Sequence, residues 1–191
     1  MIGRPRQFCR DQALDQAIEL FQEQGYEATG IAQISETLGI GRQSLYGTFG
    51  DKRSLFVEAL RRYSDESIGW LRATLNGPGR AIDHIETVLD TWAARGQEDS
   101  HCGCFMTNSI SELGFRDPEL AGMLSGNLSR MATAFQGAIE RAQAEGDIAA
   151  DRDSEALAKL LVNTAQGLSV SGKVDGSYAR DVIAQVKTLL Q

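Results

Sequence analysis

Residues 31–49 read Ile31-Ala32-Gln33-Ile34-Ser35-Glu36-Thr37-Leu38-Gly39-Ile40-Gly41-Arg42-Gln43-Ser44-Leu45-Tyr46-Gly47-Thr48-Phe49. Ile31, Ile34 and Leu38 recur at i, i+3 and i+7, which predicts a short helix with one apolar face and leaves Gln33, Glu36 and Thr37 outside. Thr29 is the expected N-cap, its hydroxyl accepting from the free N–H groups of the first turn, although no Glu or Gln follows three residues later to complete a capping box. Gly39 supplies the left-handed backbone position that ends a helix without a Cβ penalty. Ile40, apolar inside the turn, is expected to plug the angle between two helices. Leu45 and Phe49 form the buried side of the second helix, so Arg42, Gln43, Tyr46, Gly47 and Thr48 point outward, with Ser44 beside them. This is a set of donors, acceptors and one small residue, as a face that reads base edges and grips phosphate requires. Two short helices joined by Gly39-Ile40-Gly41 have the layout of a helix-turn-helix, whose second helix enters the major groove of DNA.

The flanks support that reading. Upstream, Asp11 to Glu23 carries Leu14, Ala17, Ile18 and Phe21 on one face and is ended by Gly25, a helix of the right length to back the pair. Downstream, Asp51-Lys52-Arg53-Ser54-Leu55-Phe56 opens a new helix with Asp51 in its first turn, Lys52 beside the reading face, and Leu55, Phe56, Ala59 and Leu60 inside. Ahead of everything, Gly3-Arg4-Pro5-Arg6 is a short basic arm, and Arg4 and Arg6 are expected to lie in a minor groove or along phosphates.

The run Phe21…Gly25-Tyr26-Glu27-Ala28-Thr29…Ile34…Gly39-Ile40…Ser44-Leu45-Tyr46…Phe49-Gly50-Asp51-Lys52…Leu55-Phe56 resembles the N-terminal DNA-binding domain of the TetR family of bacterial transcriptional regulators. The likeness covers about the first sixty residues, and nearly every signature position is filled. Gly30 and Gly41 stand where a Ser or Thr commonly caps each short helix, and Gly47-Thr48 replaces the usual bulky or His pair before the Phe, which implies a different base preference. The resemblance implies an all-α protein with a three-helix helix-turn-helix head, expected over 1–50, and a helical effector-binding and dimerisation body over 51–191. It also implies that the last two long helices pair with those of a second copy.

Charge is distributed to match. The first 62 residues balance eight Lys/Arg against eight Asp/Glu, so the whole net charge of −7 lies on the remainder. Within the head, Arg4, Arg6, Arg42, Lys52 and Arg53 gather at the arm and around the second helix, while Asp15, Glu19 and Glu23 lie on the first; an acidic body then discourages nonspecific clinging to DNA. No run approaches the roughly 18 apolar residues of a spanning helix, and the Arg-rich start is no secretory signal, so a cytoplasmic protein without membrane contact is expected. Three cysteines without framework spacing agree with a reducing compartment.

Strand signals are nearly absent. After the head the pattern predicts helices over about Asp51 to Leu75, Arg80 to Ala94, Cys104 to Gly114, Asp117-Pro118 to Gly146, Ser154 to Val170 and Tyr178 to Leu190. The last two are apolar on more than one stripe, which calls for two neighbours, and Leu157, Leu161, Thr164, Leu168, Val182, Val186 and Leu189 are the expected homodimer interface. Tyr63, Trp70, Trp92, Phe105, Met131 and Phe135, with Asn108 and Glu112 as polar anchors, are the expected lining of a pocket for an unidentified small-molecule effector. Cys104, opening a helix, sits where the N-terminal dipole favours a thiolate and is the candidate for a thiol sensor of electrophiles or oxidants. His101-Cys102-Gly103-Cys104 lacks the distant second pair of a zinc site, and no catalytic constellation or phosphate loop appears, so no metal, cofactor or enzymatic activity is expected. The reading is of a ligand-responsive DNA-binding regulator, most simply a repressor. The alternatives are a regulator sensing through Cys104 and, in another class, a helical protein-interaction adaptor without DNA binding.

Overall fold

The apolar spacing of Asp11–Glu23 becomes helix α1 (Arg10–Gln24), which buries Ala13, Leu14, Ala17, Ile18, Leu20 and Phe21 and stops where the Gly25 N–H donates to the Phe21 carbonyl. In the computed structural model, which describes residues 9–95, 103–175 and 177–190, it is followed by α2 (Ile31–Thr37), α3 (Arg42–Phe49) and α4 (Lys52–Leu75). Then come α5 (Ala81–Arg95), α6 (Phe105–Leu113), α7 (Pro118–Glu145), α8 (Ser154–Ser171) and α9 (Ser177–Leu190). The described residues contain no strand, and the fold is all-α. Arg4 and Arg6 lie outside the described residues, as do His101 and Cys102.

The chain divides into two compact units, Met1–Tyr63 and Ser64–Gln191, and not at 50/51. The reason is that Leu55, Phe56, Ala59 and Leu60, all on the first half of α4, are buried with α1 against an aromatic cluster. Phe21 and Phe56 meet edge to face with centroids 5.0 Å apart, and Tyr26 meets Phe56 at 4.9 Å, a geometry that adds about 0.5–1.5 kcal/mol per pair beyond burial. Ion pairs Arg62–Asp15 (2.9 Å) and Arg10–Glu58 (2.5 Å) cross the same α1/α4 seam, but they are exposed and contribute about 0–1 kcal/mol each.

Thr29 is not the cap of α2. It is fully buried, its hydroxyl donates to the Gly25 carbonyl at 2.6 Å, and Gly30 occupies the N-cap position without a side-chain bond. The α1–α2 turn leaves the Gly25 carbonyl beyond helical hydrogen bonding, and Thr29 is the nearest donor. Gly39 does end the first short helix in the left-handed region (φ +64°), and Leu45 and Phe49 bury the inner side of α3. Asp51 caps α4, its Oδ1 accepting from the Ser54 N–H at 2.7 Å, and that bond holds its carboxyl below the usual carboxylate range.

In the C-terminal unit, α7 packs against α5, α6 and α8, and α9 against α5 and α8. Asp117 caps α7 through the Leu120 N–H (3.1 Å) with Pro118 in the first turn, and Asp153 caps α8 through the Ala156 N–H (3.0 Å). Leu120, Leu124, Met131, Phe135, Ala138, Ile139 and Ala142 form the buried stripe of α7.

Two glycines separate backbone strain from helix propensity. An added Cβ at Gly39 or at Gly47 meets nothing within 4 Å, but Gly39 has positive φ and Gly47 is helical. Gly39→Ala is expected to destabilise by about 1–2 kcal/mol and Gly47→Ala to stabilise by about 0.5–1 kcal/mol, read as opposite shifts of the urea midpoint.

Candidate nucleic-acid interface

Helix α3 has eight residues, which makes it about 12 Å long and commensurate with a major groove about 12 Å wide. Leu45 and Phe49, four residues apart, are turned inward, so Gln43, Ser44 and Gly47 lie farthest round the helix from the buried side, with Arg42, Tyr46 and Thr48 flanking it. Arg42, Gln43, Ser44 and Gly47 are exposed, Tyr46 is 48% exposed and Thr48 is half-buried. Among the described residues, nothing offers the Arg42 or Gln43 side chain a hydrogen bond or an ion pair. Exposed long donors cost nothing in water, yet their neighbouring places in the first turn of one rigid helix are what bidentate base contacts need. Gly41 begins α3 without a side-chain cap, so the first-turn N–H groups are not taken up by a side chain at the positive end of the helix dipole.

Lys52, first residue of α4, is held by a partner that spacing did not indicate. Its Nζ lies 4.2 Å from the centroid of the Tyr26 ring, which itself packs on Phe56. A cation over an aromatic face keeps its charge and leaves its outer hydrogens for another acceptor, so Tyr26 fixes where the ammonium sits. Of the expected contact residues that are described, Thr29 alone is turned into the core; Arg42, Gln43, Ser44, Tyr46, Gly47, Thr48 and Lys52 are exposed or half-buried at the α3–α4 corner.

The residues expected around an effector come from several helices. Tyr63 falls in the N-terminal unit. In the C-terminal unit Phe105, Met131 and Phe135 are buried, and Trp92 is half-buried and packs edge to face on Phe135 at 5.5 Å. Trp70 lies under the Arg95 guanidinium at 5.3 Å. Cys104 is half-buried at the N-cap of α6, Asn108 Oδ1 accepts from Lys173 Nζ at 2.6 Å, and Glu112 is half-buried. A groove of about 300 Å³ runs between α7 and α8, along Ser125, Ser129, Thr133, Lys159 and Val162, and none of the expected effector residues lines it.

The expected interface residues divide in the same way. Leu157, Leu161, Leu168 and Val186 are buried within the protomer's own core, Thr164 and Val182 are half-buried, and Leu189 is 53% exposed. Sequence periodicity showed that two sides of α8 and α9 are apolar but not which side meets the rest of its own chain. The outward residues it passed over are Leu160, Val170 and Tyr178.

A short exposed reading helix, a supporting three-helix head and a separate helical body define a helix-turn-helix DNA-binding regulator. Comparison with known proteins agrees on both units. The family description "Bacterial regulatory proteins, tetR family" matches residues 13–59, and "Tetracyclin repressor-like, C-terminal domain" matches residues 81–185. The chain is 33% identical over 182 residues to the uncharacterized HTH-type transcriptional regulator YezE of Bacillus subtilis (strain 168), covering 94% of this chain and 93% of that protein. It is 32% identical over 182 residues to the HTH-type transcriptional repressor ComR of Escherichia coli (strain K12), covering 93% of this chain and 86% of that one. Among solved structures, a cysteine mutant of the TetR family regulator CifR complexed with 26bp double-strand operator DNA superposes with a TM-score of 0.84 at 32% identity, covering 99% of this chain and 100% of that one. The chain belongs to the TetR family of transcriptional regulators.

Lys52→Ala is expected to weaken binding to all DNA sequences and to flatten the salt dependence by about one unit of log–log slope per protomer. Tyr26→Phe keeps the ring and should leave that slope unchanged, whereas Tyr26→Leu should reduce it toward the Lys52→Ala value; fluorescence anisotropy across a salt series reads both. Arg42→Ala or Gln43→Ala instead relaxes base preference at one position per half-site, at about 1–3 kcal/mol per lost bidentate contact.

Proposed function

We propose that this protein is a cytoplasmic repressor that binds its operator as a homodimer and releases it when a small molecule occupies the C-terminal unit. The observation that carries the DNA-binding part is the exposure of Arg42, Gln43, Ser44 and Tyr46 on α3 around its buried Leu45 and Phe49. Support for the dimer comes from a second surface. On α8, Ala156, Leu160, Asn163, Gly167 and Val170 are exposed at alternating spacings of four and three. On α9, Tyr178, Gln185 and Leu189 are exposed and Val182 half-buried at the same spacing. Leu160, Val170, Tyr178 and Leu189 are 42–60% exposed, a two-helix apolar seam that a second copy covers as a four-helix bundle. Gly167 lets the partner backbone approach. Release then follows from a shift between two spacings of the heads, since a dimer reads two half-sites only when its reading helices match the helical repeat. Helix α4 is unbroken from Lys52 to Leu75 and contributes to both units, which makes it the element through which an effector changes that spacing. Trp92 on Phe135, with Met131 and Phe105, is the apolar material of the effector site.

A thiol-based trigger is the second reading, and one contact favours it. Lys173 lies so close over Gly103 that a Cβ there would stand 2.2 Å from its Cε, and its ammonium bonds Asn108 in the first turn of α6. A positive charge from the end of α8 thus stands beside the turn that Cys104 opens, where the neighbouring sequence supplies none.

Leu160→Glu or Leu189→Glu is expected to yield a monomer with full helicity and no operator binding, by light scattering, circular dichroism and gel shift. Leu161→Glu places an unpaired charge in the protomer core and should instead reduce helicity. A gel-shift screen of small molecules against the operator-bound protein tests release: no releasing compound refutes the effector reading. Release by a mild electrophile in wild type but not in Cys104→Ser makes the thiol the trigger.

A further inference from the structure

Asn127 sits on the inner side of α7, 5% exposed, one turn from Leu124 and Met131 and two turns before Phe135. Its Oδ1 accepts from Arg130 Nη1 at 3.2 Å, and the same Nη1 donates to Asp65 Oδ1 on α4 at 2.8 Å. This fixes the amide orientation. Flipping it would set the NH2 group against a guanidinium, donor against donor. The Nδ2 group is therefore turned away from Arg130, fully buried, and meets no acceptor among the described residues. A buried amide donor without an acceptor costs about 1–3 kcal/mol, and apolar residues of similar volume at this position would avoid that loss. Ser109, buried on α6, by contrast satisfies itself on its own helix through the Phe105 carbonyl four residues back.

We propose that Asn127 Nδ2 is the hydrogen bond donor that selects the effector, and that the effector is a small, largely apolar molecule bearing a neutral carbonyl oxygen, such as an aldehyde, ketone, ester or amide. This rests on the reading of the C-terminal unit as effector-binding. The surroundings set the apolar part, since Leu120, Leu124, Met131 and Phe135 share the stripe with Asn127. Electrostatics sets the neutral part: the adjacent cation, Arg130, already carries the Asp65 carboxylate, so a buried anion would find only a neutral amide opposite it. Met131, unbranched and polarizable one turn along, is the side chain best able to give way to a ligand. The α7/α8 groove is a different place, because it opens on the Ser125–Ser129 side of α7.

The test uses the purified full chain and a matched pair of probes, acetophenone and α-methylstyrene, which differ in C=O against C=CH2. Affinities are measured by ligand-observed NMR for wild type, Asn127→Asp and Asn127→Leu. Asn127→Asp keeps an oxygen for Arg130 and exchanges the unpartnered donor for an acceptor; Asn127→Leu removes it. Wild type is expected to prefer acetophenone by roughly five- to tenfold, the effect of one net hydrogen bond. Asn127→Asp should lose or reverse the preference, and Asn127→Leu should bind both probes alike with a melting temperature no lower than wild type. An equal preference in all three proteins means that Asn127 is satisfied by an ordered water only and overturns the inference, leaving the effector reading intact. Failure of wild type to bind either probe also overturns it, while the effector reading stands or falls separately on the operator-release screen.

Discussion

The edge-to-face contact of Phe21 with Phe56 is the constraint on which the DNA-binding side of the molecule depends. It joins the last turn of α1 to the first turns of α4, and these elements bracket α2 and α3 in the chain. With both ends of the segment tied, the short helices, too brief to be stable alone, are left to pack Ile34, Leu38, Leu45 and Phe49 inward. Tyr26 extends the cluster to the surface, where its ring carries Lys52. One aromatic group thus fixes the scaffold and a cation at the reading corner together, so side chains on α3 and α4 keep a common frame.

The C-terminal unit is organised by a different rule, the division of each helix between an inner and an outer side. On α8, Leu157, Leu161, Ala165 and Leu168 face the protomer core, while Leu160, Asn163 and Gly167 face out. The inner stripe is wholly apolar, and the outer one mixes Leu160 with Asn163 and Gly167. A helix built this way is stable in the protomer and still carries material for a partner, which separates folding from assembly energetically. Polar groups follow the same economy. Arg141 bonds the Leu75 carbonyl and Asn76 at the end of α4, and Glu145 takes the Ala81 N–H at the start of α5, so the α4–α5 turn is secured by α7. Against that background, the buried Nδ2 of Asn127 and Oδ2 of Asp147 meet no hydrogen-bond partner among the described residues, and of the two only Asn127 lies on the apolar stripe of α7.

Charge is distributed differently in the two units. The acidic excess belongs to the C-terminal residues, many of whose carboxylates are engaged locally: Asp147 with Arg80, Asp90 with Lys187, Asp65 with Arg130. The head has no net charge, yet among its described cations Arg42 makes no hydrogen bond or ion pair and Lys52 lies over a ring, so the reading corner keeps cations for phosphate. Net charge alone would have argued against DNA.

The amino-acid sequence by itself determined the helices, their order and the family, because these rest on local periods and turn residues: Gly39 at positive φ, Asp51, Asp117 and Asp153 at helix starts, Leu45 and Phe49 at i, i+4. The reading face of α3 was legible for the same reason, since the inner side of so short a helix defines its outer side. What only the tertiary structure decided is which of several chemically similar sides meets which neighbour. Thr29 went to the Gly25 carbonyl and not to α2, Leu161 and Val186 went into their own core while Leu160 and Tyr178 did not, and Lys52 found Tyr26. Lys173 reached Asn108 across 65 residues of chain, and Arg130 fixed the Asn127 amide from a bond to α4. Periodicity states that a helix has an apolar side; it carries no information about the partner, because that depends on distances between elements far apart in the chain, which exist only once the helices have packed.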